Sequence, residues 1–176
     1  VGTLNKIAVL GLGQSISLFL KEPPFDFSLT VGVNDIYRHV KTDIIVCVDR
    51  PSAFTPERLR FINDATPKYF YSQMVDWDRR PDFRKINIIS GYPDRGLNLN
   101  QPGYWKSYCS PFIAVQVAYR MHEANEIHLF GVDLTNHPHL DRDLCKKIKI
   151  HFTHLINALH ERNCQVIVHG NGILTL

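Results

Sequence analysis

Short segments that are apolar on both faces alternate with helical segments along this chain. Lys6–Leu10 (KIAVL), Ser28–Val33 (SLTVGV), Asp43–Val48 (DIIVCV), Lys85–Ser90 (KINIIS), Glu126–Val132 (EIHLFGV) and Gln165–His169 (QVIVH) each read as a strand. A strand wetted on one side alternates polar and apolar residues, and most of these do not. They fit a parallel sheet covered by helices on both faces. Tyr69–Ser72 (YFYS) is a weaker seventh strand, placed at an edge. Between them the pattern predicts a short helix over Ser15–Lys21, stopped by Pro23–Pro24, and one or two turns over Asp35–Val40. Pro56–Asn63 is another helix. Two longer ones follow, over Pro111–Glu123, with Ser110 as N-cap and Pro111 at the first helical position, and over Arg142–Arg162. The last carries an apolar stripe of Leu144, Ile148, Phe152, Leu155, Ile156 and Leu159. We expect one α/β domain over residues 1–176 with a mostly parallel sheet of six to seven strands.

Composition narrows the function classes. With 44% hydrophobic and 21% charged residues, the chain is neither disordered, collagen-like nor a disulfide mini-protein. A net charge of +3 is too mild to call for nucleic acid as a partner, but it suits a local anionic ligand. No apolar run approaches the ~18–20 residues that span a bilayer, and no signal-peptide pattern is read. Cys47, Cys109, Cys145 and Cys164 form no CxxC pair, so we expect reduced, buried thiols and a cytoplasmic protein. Peripheral membrane contact and a homo-oligomer are both compatible with this surface. Nine histidines are the one unusual count. His122 and His128 flank a helix–strand turn and read as structural. His151, His154 and His160 read as surface or half-buried positions of the last helix.

Polar and glycine-rich residues follow nearly every strand at its carboxyl end, where open α/β sheets bind ligands. The first strand is followed by Gly11-Leu12-Gly13-Gln14-Ser15, the second by Asn34 and Asp35, and the third by Asp49. The sixth is followed by Asp133, Thr135, Asn136, His137 and His139, and the last by Gly170-Asn171-Gly172. The GLGQS turn lets a ligand approach the backbone and opens a helix, whose free N–H groups suit a phosphate. The dinucleotide fingerprint would need a third glycine where Ile16 stands, though Asp35 falls near the position of its ribose-binding acid. Asn34 and Asp49 read either as ligand contacts or as turn caps. Ser110 marks a second helix N-terminus. His137 and His139 sit in a loop beside Asp133 and are candidate general bases or ordinary loop histidines. Gly91–Tyr108 is a long stretch without clear structure and a candidate binding loop.

Two passages, IAVLGLGQSI with VGVND and DIIVCVD, and SPFIAVQVAYRMHEANEIHLFGVDL, resemble a shared family pattern. That pattern is a first turn close to GNGPS, a strand ending in Asn, and a strand ending in Asp or Asn. A small-residue turn then opens a helix before a strand of the form I-x-L-x-G-x-D. It is found in the bacterial sialyltransferases and the 6-hydroxymethylpterin diphosphokinase-like proteins, with phage and bacterial homologues of unassigned activity. The resemblance implies a Rossmann-like three-layer sandwich that binds a nucleotide. Gly11, Gly13 and Ser15 match the first turn, where Leu12 replaces the family amide and Gln14 its proline. Asn34 matches the nucleotide-contacting Asn, Asp49 the third strand end, and Asp133 the G-x-D end. Ser110 matches the sialyltransferase serine, followed here by Pro111 rather than Gly. A Gly- and Asp-rich turn, which the kinases carry there, is missing from SYCSPF. In the sialyltransferases a histidine after this strand is the general base, so His137 or His139 would stand in, within a shorter segment. The resemblance thus implies metal-free transfer of a sugar from a CMP-type donor to an acceptor hydroxyl, with the nucleotide sugar as co-substrate and no other cofactor. One alternative is an ATP-dependent pyrophosphokinase holding Mg²⁺ on Asp49 and Asp133. Another is a nucleotide-binding module without catalysis.

Overall fold

The computed structural model describes residues 4–21, 26–134, 140–172 and 174. Seven strands form one sheet: β1 (Lys6–Leu10), β2 (Leu29–Val33), β3 (Ile44–Val46), β4 (Tyr69–Ser72), β5 (Phe83–Lys85), β6 (Glu126–Phe130) and β7 (Gln165–Val168). Their order is β5-β4-β3-β2-β1-β6-β7, and every neighbouring pair is parallel. The helices are α1 (Ile16–Lys21), α2 (Pro56–Asn63), α3 (Ser110–His122) and α4 (Arg142–His160).

The two-residue period of the strands divides the core into two faces. Ile7, Val9, Val31, Val33, Ile44 and Val46 meet α3 and α4. Ala8, Leu10, Ile45 and Cys47 point the other way, onto Ile16 of α1, Ile62 of α2 and Ile36 of a short 3-10 turn. This is a three-layer α/β sandwich of the Rossmann type. The strands step outward from β1 through β2 to β5, then α3 carries the chain back to β6 on the other side of β1. The order of the strands therefore reverses at β1 and β6.

Several boundaries differ from the sequence expectation. YFYS is an interior strand between β3 and β5, because Phe83–Lys85 rather than Lys85–Ser90 forms the edge. Of the apolar residues of KINIIS only Ile86 is buried, Ile88 and Ile89 being half-buried, and none joins a strand ladder. Ile86 joins the core, and Ile88 bridges Tyr104 instead. Cys109 is the N-cap of α3, and Ser110 is its first residue, because the chain stays extended through Cys109. The Ser110 hydroxyl is thereby free of capping. Among the described residues no helix is long and apolar enough to cross a membrane.

Candidate functional site

The site lies at the carboxyl ends of β1, β2 and β6. Its floor is a backbone seam between the first turn and the end of β6. The N–H of Gly11 donates to the Phe130 carbonyl and that of Gly13 to the Gly131 carbonyl, each at 2.8 Å. The N–H of Ser15 donates to Asp133 Oδ2 at 2.7 Å, and the Gly131 N–H donates to Ser15 Oγ at 2.8 Å. Gly131 adopts φ 68°, which glycine reaches at little cost. A Cβ on Gly11 would lie 2.3 Å from the Gly131 carbonyl oxygen. The turn is thus held against β6, with Asp133 supplying the negative charge nearest the start of α1. The N–H groups of Leu12 and Gln14 have no partner among the described residues.

Asn34 ends β2 in the left-handed region, at φ 50°, which asparagine tolerates better than most residues. That conformation turns its side chain toward the first residue of α3. Its Nδ2 donates to Ser110 Oγ at 3.4 Å. Its Oδ1 is buried and has no hydrogen-bond partner among the described residues. Buried polar atoms nearly always find one, so this lone acceptor marks a place where a donor is expected. Ser110 is itself buried. Asn34, Ser110 and the N-terminus of a helix of 13 residues therefore converge, as the sequence predicts.

Asp35 plays a different part. It is fully buried and accepts two bonds from Arg58, from Nε at 3.0 Å and Nη2 at 2.6 Å, and a weaker one from Arg38. Burial alone would raise its pKa, but the hydrogen bonds and charge of Arg58 outweigh that and hold it below the usual value. It is a structural ion pair, not a ribose-binding acid. Asp49 lies beyond β3. Loss of water around its carboxyl raises its pKa, and Arg58 offsets part of the rise. Three strand spacings separate the ends of β3 and β6, about 14 Å. Asp49 and Asp133 thus follow strands that are well separated in the sheet. Among the described residues no group of three or more His, Cys, Asp or Glu converges as a metal site. His137 and His139 lie outside the described residues.

The segment 91–108 is strapped down rather than free. Gln116 exchanges hydrogen bonds with the Trp105 backbone, and Arg120 donates to the carbonyls of Gln101 and Gly103. His151 is fully buried, against expectation, although helical spacing from Ile148 and Leu155 already places it on the apolar stripe. Its Nε2 lies 2.8 Å from Asp94 Oδ1 and its Nδ1 2.8 Å from Ser107 Oγ. The carboxylate can only accept, so Nε2 carries the proton and Nδ1 accepts from the serine. The residue types match those of a nucleophile relay, but Tyr92 and Tyr108 stack beside the ring and Phe112 packs on it. The cluster fastens the segment to α4 beside the first turn of α3.

Two further histidines carry a pH signature. His169 bonds to His128 at 2.8 Å and stacks on Phe130, and burial lowers its pKa, with help from His128. His122 bonds to the Tyr71 hydroxyl at 3.2 Å, and burial lowers its pKa, with help from Lys68. In the unfolded chain both titrate near ~6.5. Below that pH the unfolded state takes up protons that the folded state resists, so stability is full above about 6.5 and falls as the pH drops. Thermal melts from pH 7.5 to 5.5 should show a falling Tm, flattened by His169→Gln with His122→Gln. A flat wild-type profile would rule this out.

No protein-family model matches the sequence, and no curated protein matches it. Among solved structures, the sialyltransferase CstII from Campylobacter jejuni, in complex with the substrate analogue cytidine-5'-monophosphate, is similar to this chain. The TM-score is 0.56 at 16% identity, covering 97% of this chain and 82% of that one. A point variant of CstII, an alpha-2,3/8-sialyltransferase, is similar with a TM-score of 0.50 at 16% identity, covering 93% and 80%. At such identity the likeness speaks for architecture: this chain has the Rossmann-like fold of a bacterial sialyltransferase.

Proposed function

We propose that this protein is a nucleotide-sugar-dependent glycosyltransferase, sialyltransferase-like, moving a sugar from a CMP-type donor to an acceptor hydroxyl without a metal. The observation that carries the reading is the Asn34 Oδ1, unpartnered among the described residues, beside Ser110 and the start of α3. A nucleotide offers both the hydrogen-bond donor that Asn34 lacks and the anion that a helix N-terminus favours. The similar CstII structure holds cytidine-5'-monophosphate. In this reading Gly11, Gly13, Gln14 and Ser15 form the turn against which the nucleotide lies, with the Leu12 and Gln14 N–H groups as donors. Asp133 holds that turn in place, and Asp49 flanks the site.

His137 or His139 accepts the proton of the acceptor hydroxyl. The oxygen attacks the anomeric carbon, and the bond from that carbon to the phosphate oxygen breaks. CMP leaves with the electron pair, and Ser110 with the α3 N-terminus meets the developing charge. A cytoplasmic setting accords with four free thiols. The separation of the β3 and β6 ends, which Asp49 and Asp133 follow, favours this reading over a Mg²⁺-dependent kinase.

CMP should raise the Tm of the protein equally with and without Mg²⁺. Asn34→Gly removes the amide yet tolerates the positive φ, and should weaken CMP binding about tenfold or more with the fold intact. With a CMP-sugar donor, His137→Ala or His139→Ala should abolish turnover, and the other should not. Stabilisation by ATP only with Mg²⁺ would point to the kinase. No response to any nucleotide would remove both enzyme readings.

A further inference from the structure

We propose that a second site, on the α3 face of the sheet near the C-terminal end of that helix, binds a small phosphate-bearing ligand. A cavity of about 610 Å³ opens there, between the first residues of β2 and β4, the edge strand β5 and the last turn of α3. That volume suits a small molecule. α3 has 13 residues, so the cavity is roughly 18 Å from the Asn34 end of the same helix. The proposal stands independently of the glycosyltransferase reading.

The chemistry of the walls is one-sided. Lys68, Arg84 and Lys85 line the cavity, and no Asp or Glu does so among the described residues. Among the described residues Arg84 donates only to the carbonyl of its neighbour Phe83, and neither lysine has a carboxylate partner. Lys68 and Arg84 both lie by the ring of Tyr69, 5.5 and 5.4 Å from its centroid. Three like charges around one cavity repel each other, and an anion between them relieves that repulsion. Arginine beside lysine is the usual pairing for phosphate oxygens.

The apolar wall also holds polar handles. Tyr104 is 8% exposed, lines the cavity, and its hydroxyl has no hydrogen-bond partner among the described residues. Tyr71 is buried, and its hydroxyl pairs with His122 Nε2 at the same wall. Asn87 adds an amide. Cations for a phosphate, with a phenol and an amide for hydroxyls, describe a phosphate ester or pyrophosphate better than an apolar ligand.

The test is an amide-resolved NMR titration of the whole chain with pyrophosphate and, separately, with a hexose bisphosphate, at constant ionic strength. Shifts should gather at Lys68–Tyr71, Arg84–Asn87 and Tyr104. Lys68→Gln with Arg84→Gln should weaken binding about tenfold or more, whereas Asn34→Gly should leave it unchanged. The mapping on the wild-type protein decides the matter even if the double variant folds poorly. Absence of shifts with both probes at millimolar concentration would overturn the proposal. So would shifts confined to residues 11–15 and 34, or affinity unchanged by the double substitution.

Discussion

Gly131→Ala should lower the Tm by roughly 10 °C. Residue 131 sits at φ 68°, where an alanine side chain collides with its own backbone, at about 1–2 kcal/mol. Its Cβ would also stand 2.4 Å from the Gly11 carbonyl oxygen and 2.8 Å from the carbonyl carbon. Both obstacles are backbone, so no side chain can swing away. Forcing the seam open adds about 1–3 kcal/mol. In a domain of this size each kcal/mol shifts the Tm by ~2–4 °C. Gly11→Ala meets the same seam from the other side without the φ strain, and should cost less. Calorimetry on both variants separates the two contributions. A Gly131→Ala protein melting with the wild type would show that the seam is not close-packed.

Arg58→Ala should be the most damaging change to the ion pair behind β2, worse than Asp35→Ala. The Asp35 side chain is fully buried, whereas that of Arg58 is 32% exposed. Removing Arg58 strands a buried carboxylate with only a weak contact to Arg38. Breaking a buried pair in this way costs about 3–5 kcal/mol. Removing Asp35 leaves a guanidinium that can turn to water, so a smaller loss is expected. The double variant should be more stable than the sum of the single losses predicts. The sign with pH follows from the carboxyl held low. Its contribution is full above the unfolded value near ~3.9 and is lost as the pH falls through the lower folded value. Urea melts of the three variants at pH 7 and pH 3 would show the gap closing in acid. Equal losses for Arg58→Ala and Asp35→Ala would contradict the burial argument.

The layout of the sheet was legible because the strands obey a local rule. Lys6–Leu10 and Tyr69–Ser72 keep their sequence-predicted bounds. The convergence of Asn34 and Ser110 was legible from the fold class, since both fall at one edge. Features that depend on distant partners were not. Asp35 looks like a ribose acid until Arg58, on another helix, is found beside it. KINIIS has the composition of a strand, and only the segment folded beside it shows that a single bridge to Tyr104 replaces the ladder. The fully buried His151 was misread because its residue type outweighed its helical position.

The position of β1 has a consequence for how the molecule is made. β1 comes before the other six strands in the sequence, yet it lies inside the finished sheet, paired to β2 on one side and to β6 on the other. Lys6 must wait for Glu126. Until then one long backbone edge of the nascent chain is open, and the entropy of closing so large a loop is spent before the contact rewards it. The β1–β6 junction, where the glycine seam forms, is therefore completed late.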